Sequence, residues 1–204
     1  MIKNKTNNLK LDEVSIEEKN RESNKLFGVW VYLLSDCIMF AVLFAIYAII
    51  SSNVPFKLLD NKVFNLSSIF LETLLLLFSS LSCGLVVTAM NKKNIQRIYL
   101  YLITTFLLGL LFLYIEIKEF YELSINNFSP DQNAFFSIFF TLIGTHGVHI
   151  FFGLILIISI MFQIKKLGLT NSICTRILCF NVFWHFLDII WICIFTFVYL
   201  NGAI

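Results

Sequence analysis

Proline, histidine and charge are all scarce in this chain, and each scarcity removes a class of answer. The two prolines among its 204 residues, Pro55 and Pro130, lie outside the long apolar stretches. Helices in those stretches therefore carry no residue that removes an internal backbone donor, and unbroken helices are expected. Charged residues make up 14% and hydrophobic residues 58%, against roughly 25% and 45 to 50% in an average soluble domain, which excludes a soluble globular fold. The five cysteines, at positions 37, 83, 174, 179 and 193, include no C-x-x-C pair, so neither a zinc ribbon nor a dithiol motif is indicated. Such cysteines pack as small hydrophobes. A net charge of +2 with no aromatic-interleaved basic patch argues against nucleic acid as a partner. Residues 1–26 lack the apolar region of a cleavable signal peptide and read as a solvated polar tail.

What the chain has in abundance is apolar length. Five spans, at about 27–51, 66–90, 95–117, 134–163 and 176–200, each reach or exceed the roughly 20 residues needed to cross a hydrocarbon core of about 30 Å. The expected fold is an all-α membrane protein, a bundle of five transmembrane helices over residues 27–204. Twelve Lys and Arg residues fall in the tail and in the second and fourth connections. Three, Lys57, Lys62 and Lys118, fall on the other side. That bias predicts a cytoplasmic N-terminus and a periplasmic C-terminus.

Function has to be sought in the polar groups inside the spans, because an ionisable side chain at bilayer depth costs about 2.5 to 3.5 kcal/mol on insertion scales unless it faces protein or water. The last span contains Phe183-Trp184-His185-Phe186-Leu187-Asp188-Ile189-Ile190-Trp191. At 100° per residue, Trp184, Asp188 and Trp191 share a narrow face with His185 at its edge, which predicts a contact stripe inside a bundle. In the first span Asp36 lies one turn from Tyr32; it reads either as a hydrogen-bonded packing residue or as a carboxyl that senses or passes protons. Glu72 opens a run of small and polar residues in the second span, Ser79, Ser80, Ser82, Cys83 and Gly84 among them, that lets a neighbouring helix approach closely. After the third span, Lys118 and Glu122 are spaced to pair locally, and Glu116 and Glu119 are placed to reach inward.

The fourth span carries Gly144-Thr145-His146-Gly147-Val148-His149. His146, His149 and Gly153 lie on one face, with Gly144 and Gly147 roughly opposite. Small or polar surface on both sides suits a helix packed between two others. Two histidines at this spacing raise haem or metal ligation, but three histidines in all, with no completing cysteine or carboxylate set, argue for hydrogen-bonded packing residues instead.

The 144–149 and 183–191 segments together resemble the paired signature of subunit III of the haem-copper oxidases. Ser35-Asp36-Cys37, Leu71-Glu72-Thr73 and Glu119-Phe120-Tyr121-Glu122 follow the same family's order and spacing, and the resemblance covers residues 27–204. Cytochrome c oxidase forms commonly have seven spans. The five-span layout, the polar tail and Thr175-Arg176-Ile177-Leu178-Cys179 are more similar to the bo-type ubiquinol oxidase form. Asp36 corresponds to an intramembrane carboxyl that is often Glu in the longer form.

The resemblance implies a non-catalytic subunit in a bacterial inner membrane, with no catalytic or metal-ligating residue of its own. Haem, copper and ubiquinone are expected in partner subunits. The implied roles are packing against the large catalytic subunit I beside a subunit II and a small subunit IV, holding phospholipid in a cleft between the first two and the last three spans, and supporting proton uptake. The alternative within the family is a cytochrome c or menaquinol oxidase subunit. Outside it stand a small transporter using Asp36, Glu72 and Asp188, and a b-type cytochrome. The transporter lacks visible repeats and broken helices.

Overall fold

The computed structural model describes residues 2–53, 66–125 and 134–200. Lys57 and Lys62 of the charge count, and both prolines, lie outside the described residues. Five helices follow one another: α1 (Ile2–Asn53), α2 (Leu66–Asn91), α3 (Ile95–Ile125), α4 (Ala134–Leu167) and α5 (Asn171–Ile194), the last continuing as a π-helical segment, Phe195–Leu200. Each holds a stretch long and apolar enough to cross a membrane.

The helices outrun the spans read from hydropathy. α1 is continuous from Ile2 through the polar residues 2–26, and its membrane-length stretch opens at Asn20. α3 persists to Ile125, and in its last turns Lys118 and Glu122 pair at 3.5 Å as their spacing foretold. α5 starts at Asn171, before the apolar run, so Thr175 to Cys179 belong to the helix. At its other end the helix continues without a break but widens to a π turn, in which Val198 and Tyr199 are buried, with no proline or glycine to announce the change.

The connection between α2 and α3 is a tight reversal. Lys93 adopts a left-handed conformation (φ 53). Lys93 N–H donates to the Met90 carbonyl at 2.9 Å and Asn94 N–H to the Ala89 carbonyl at 3.2 Å, the paired bonds of a Schellman ending. Asn94 then caps α3 by accepting from Arg97 N–H at 3.4 Å. Gly168 (φ 68) closes α4 in the same left-handed manner, its N–H donating to the Ile164 carbonyl at 3.0 Å.

Short turns make α2/α3 and α4/α5 antiparallel pairs. Ser82 on α2 donates to the Tyr101 carbonyl of α3 at 3.0 Å, and Tyr99 on α3 donates to the Met161 carbonyl of α4 at 2.9 Å. α5 sits against α2 and α4, while α1 packs on α4 and α5. Leu102, Leu142, Ile150, Trp184 and Trp191 form the buried centre, and much of the outward surface is Leu, Ile and Phe, as a lipid-facing bundle requires.

Candidate functional site: a polar seam, an ion pair and a groove

The stripe on α5 meets α2. Trp184 Nε1 donates to Ser79 Oγ at 2.7 Å, His185 Nδ1 and Ser80 Oγ lie 2.8 Å apart, and Trp191 Nε1 donates to Thr73 Oγ1 at 3.2 Å. Thr73 in turn donates to the Ile69 carbonyl at 3.0 Å. Thr73 to Ser80 and Trp184 to Trp191 are each two turns, so the antiparallel helices meet rung on rung. Asp188 lies beside Ser80 and His185. His185 is thus held by another helix.

Trp184 is also a wedge. Its indole lies where a Cβ on Gly153 of α4 would stand 2.6 Å from Cζ3, and a Cβ on Gly109 of α3 would stand 3.1 Å from Cη2. These two glycines let α3 and α4 close around the ring. Gly109 was not singled out from sequence; its signal is a lone glycine in the unbroken apolar run of α3. Gly144 has a different setting, its Cβ position lying 3.8 Å from Phe120, an ordinary contact.

On the other side of α4, His149 faces α1. Its Nδ1 lies 2.7 Å from the Thr145 carbonyl, and a carbonyl only accepts, so Nδ1 carries a hydrogen. Nε2 lies 3.6 Å from Asp36 Oδ2, an ion-pair distance beyond hydrogen bonding. Asp36 is 8% exposed, Tyr32 lies beside it, and the Phe40 ring stands 5.4 Å from the imidazole.

The three histidines have separate surroundings: His149 toward α1, His185 toward α2, and His146 fully buried between the rings of Phe112 and Trp191. Among the described residues no group of three His, Cys, Asp or Glu side chains is placed to hold a metal ion. Among the described residues the three imidazoles do not come together as one ligand set. Of the glutamates, Glu72 and Glu116 are buried, while Glu119 is partly exposed near the end of α3. Glu116 packs over Gly147.

A groove of about 950 Å³ opens between α1, α4 and α5. Its walls include Val29, Val148, Phe152, Ile155 and Leu156, with Tyr32 and His149 also lining it. Lys25, Gln163 and Arg176 gather at one end, where Arg176 donates to Gln163. The groove thus separates the first span from the last two, and α2, tied to α3 by the three-residue reversal and the Ser82 bond, does not line it.

These features define a class first: a multi-pass helical membrane protein whose intramembrane polar side chains join helix to helix. The chain belongs to the cytochrome c oxidase subunit III family, whose model matches residues 21–203. It is 71% identical over 205 residues, all of both chains, to the cytochrome bo(3) ubiquinol oxidase subunit 3 of Buchnera aphidicola subsp. Acyrthosiphon pisum. It is 43% identical over 181 residues, 89% of this chain and 87% of the relative, to the protein of that name from Pseudomonas aeruginosa. To quinol oxidase subunit 3 of Bacillus subtilis it is 36% identical over 177 residues, 87% of each.

Proposed function

We propose that this chain is subunit III of a proton-pumping, bo-type ubiquinol oxidase in the aerobic respiratory chain of a bacterial inner membrane, and that it is non-catalytic by itself. In this reading the large subunit I holds haem and copper and reduces O2 to water. The present chain packs on that subunit near subunits II and IV, holds phospholipid and supports proton uptake. Residues 1–26 form its cytoplasmic part and 27–204 its membrane domain.

The observation that carries the reading is the α2–α5 seam. Its three rungs and the Asp36–His149 pair engage indole, carboxylate and two of the three imidazoles in helix-to-helix contacts, the work of a packing subunit. The names of the relatives favour quinol over cytochrome c as electron donor. The groove supports the lipid role: apolar walls suit acyl chains, and Lys25 and Arg176 at one end suit an anionic headgroup.

The test is to tag this chain, solubilise the membrane in mild detergent and purify. Co-purification with a haem-bearing subunit and quinol-dependent O2 uptake is the expected result. Recovery of the chain alone refutes the reading, and a strict requirement for cytochrome c moves it to the other branch of the family.

A further inference from the structure

Nine buried side-chain oxygen and nitrogen atoms have no hydrogen-bond partner among the described residues, and six of them belong to Glu72, Glu116 and His146. Glu72 and His146 are 0% exposed and Glu116 is 4% exposed. The other three atoms are single oxygens of Asp36, Asn181 and Asp188, whereas in Glu72, Glu116 and His146 every polar side-chain atom is left without a partner. These three side chains occupy one layer. The Glu116 carboxyl takes the room left by Gly147, with oxygens 2.8 and 2.9 Å from where a Cβ would stand. Gly147 follows His146 on α4. The imidazole lies 5.3 Å from the Trp191 ring, which is bonded to Thr73 beside Glu72, and 5.9 Å from Phe112, one turn before Glu116. Glu72 is within electrostatic range of both Glu116 and Glu119.

We infer that Glu72, Glu116 and His146 enclose an internal site for ordered water, at the end of the bundle opposite the α2–α3 reversal, and that Glu119 marks its way out. The described residues offer no metal-ligand set. Carboxyl oxygens that accept, beside a ring that both donates and accepts, are the surroundings a buried water needs, since each water typically makes two to four hydrogen bonds to otherwise unsatisfied groups. The site is separate from the groove, because the next turn of α4 brings His149, which is already engaged by Thr145 and Asp36.

The experiment uses the intact, purified oxidase complex. Hydroxyl radicals are generated in place by an X-ray pulse in H2(18)O, and labelling is read by mass spectrometry. Trp191 and Trp184 are equally hidden from bulk solvent, at 0% and 1% exposed, and only Trp191 adjoins the inferred site. Trp191 is expected to label several-fold faster than Trp184, and the ratio to fall toward one in assembled E116L complexes. Equal labelling in the wild-type complex overturns the inference whether or not E116L assembles. So does a map of the complex showing these carboxyls bonded to protein or to a metal ion. Failure to recover a haem-bearing complex bears on the proposed function and is recognised before labelling begins.

Discussion

Trp184 and Ser79 meet across the α2–α5 interface at 2.7 Å, both buried, with the indole ring lodged between the backbones at Gly109 and Gly153. One side chain therefore ties together four of the five helices. The hydrogen bond fixes the ring's rotation, and the glycines set how near α3 and α4 come. In a bilayer no hydrophobic force drives helix against helix, so packing and polar contacts of this kind decide the arrangement.

Ser79→Ala leaves the indole N–H buried without an acceptor, and Trp184→Phe removes the donor along with packing area. A double-mutant cycle on thermal stability of the complex is expected to give a coupling of about 0.6 to 1.7 kcal/mol, the range of interhelical hydrogen bonds in membranes. Zero coupling, with both single variants destabilised, would assign the seam to shape alone.

Gly153→Ala forces a Cβ to within 2.6 Å of a rigid ring that cannot retreat, because Gly109 and Ser79 hold its other edges. Loss of this subunit from the detergent-purified complex is expected. Gly144→Ala meets only the edge of Phe120 at 3.8 Å and gains up to about 1 kcal/mol of helix propensity, so that variant assembles normally. Quantifying the subunit by gel in both complexes checks the contrast, and equal loss would refute the wedge.

The 183–191 stripe was legible because two tryptophans and an acid recur at helical spacing in a span where lipid would reject them. Its partner was only half legible. The small residues of α2 announce close approach, but serine and threonine occur at many positions and nothing in their pattern selects α5 over α3. Asp36 and His149 were each conspicuous, yet their pairing depends on α1 lying against α4, which is set by tertiary packing. The Gly109 seat and the π-helical end at Phe195 left almost no local signal. Both arise from contacts with residues remote in sequence.

Asp36 and His149 stand 3.6 Å apart at roughly one-tenth exposure. Removing one member strands the other, whereas removing both leaves a poorly packed but neutral site. His149→Ala and Asp36→Ala are each expected to lose the subunit faster in detergent than the Asp36→Ala/His149→Ala double variant does. Asp36→Asn keeps the shape and is expected to show a normal haem spectrum with shortened activity during prolonged turnover. A lost haem spectrum in Asp36→Asn would mean that Asp36 does more than join α1 to α4.

Arg176 is the groove residue whose role is easiest to isolate. It is exposed, sits at the polar end of the groove and donates to Gln163. A basic residue near a membrane surface contributes about 1 kcal/mol toward an anionic headgroup, so Arg176→Ala is expected to lower retention of anionic phospholipid about fivefold. Arg97 is equally exposed and does not line the groove. Arg97→Ala is expected to leave retention unchanged, which separates a shaped site from general attraction to a charged surface. Native mass spectrometry of the two complexes, counting co-purified lipids, decides between them. Equal retention in both variants would mean that Arg176 serves the α4–α5 contact through Gln163 and that the groove holds its acyl chains without a headgroup anchor.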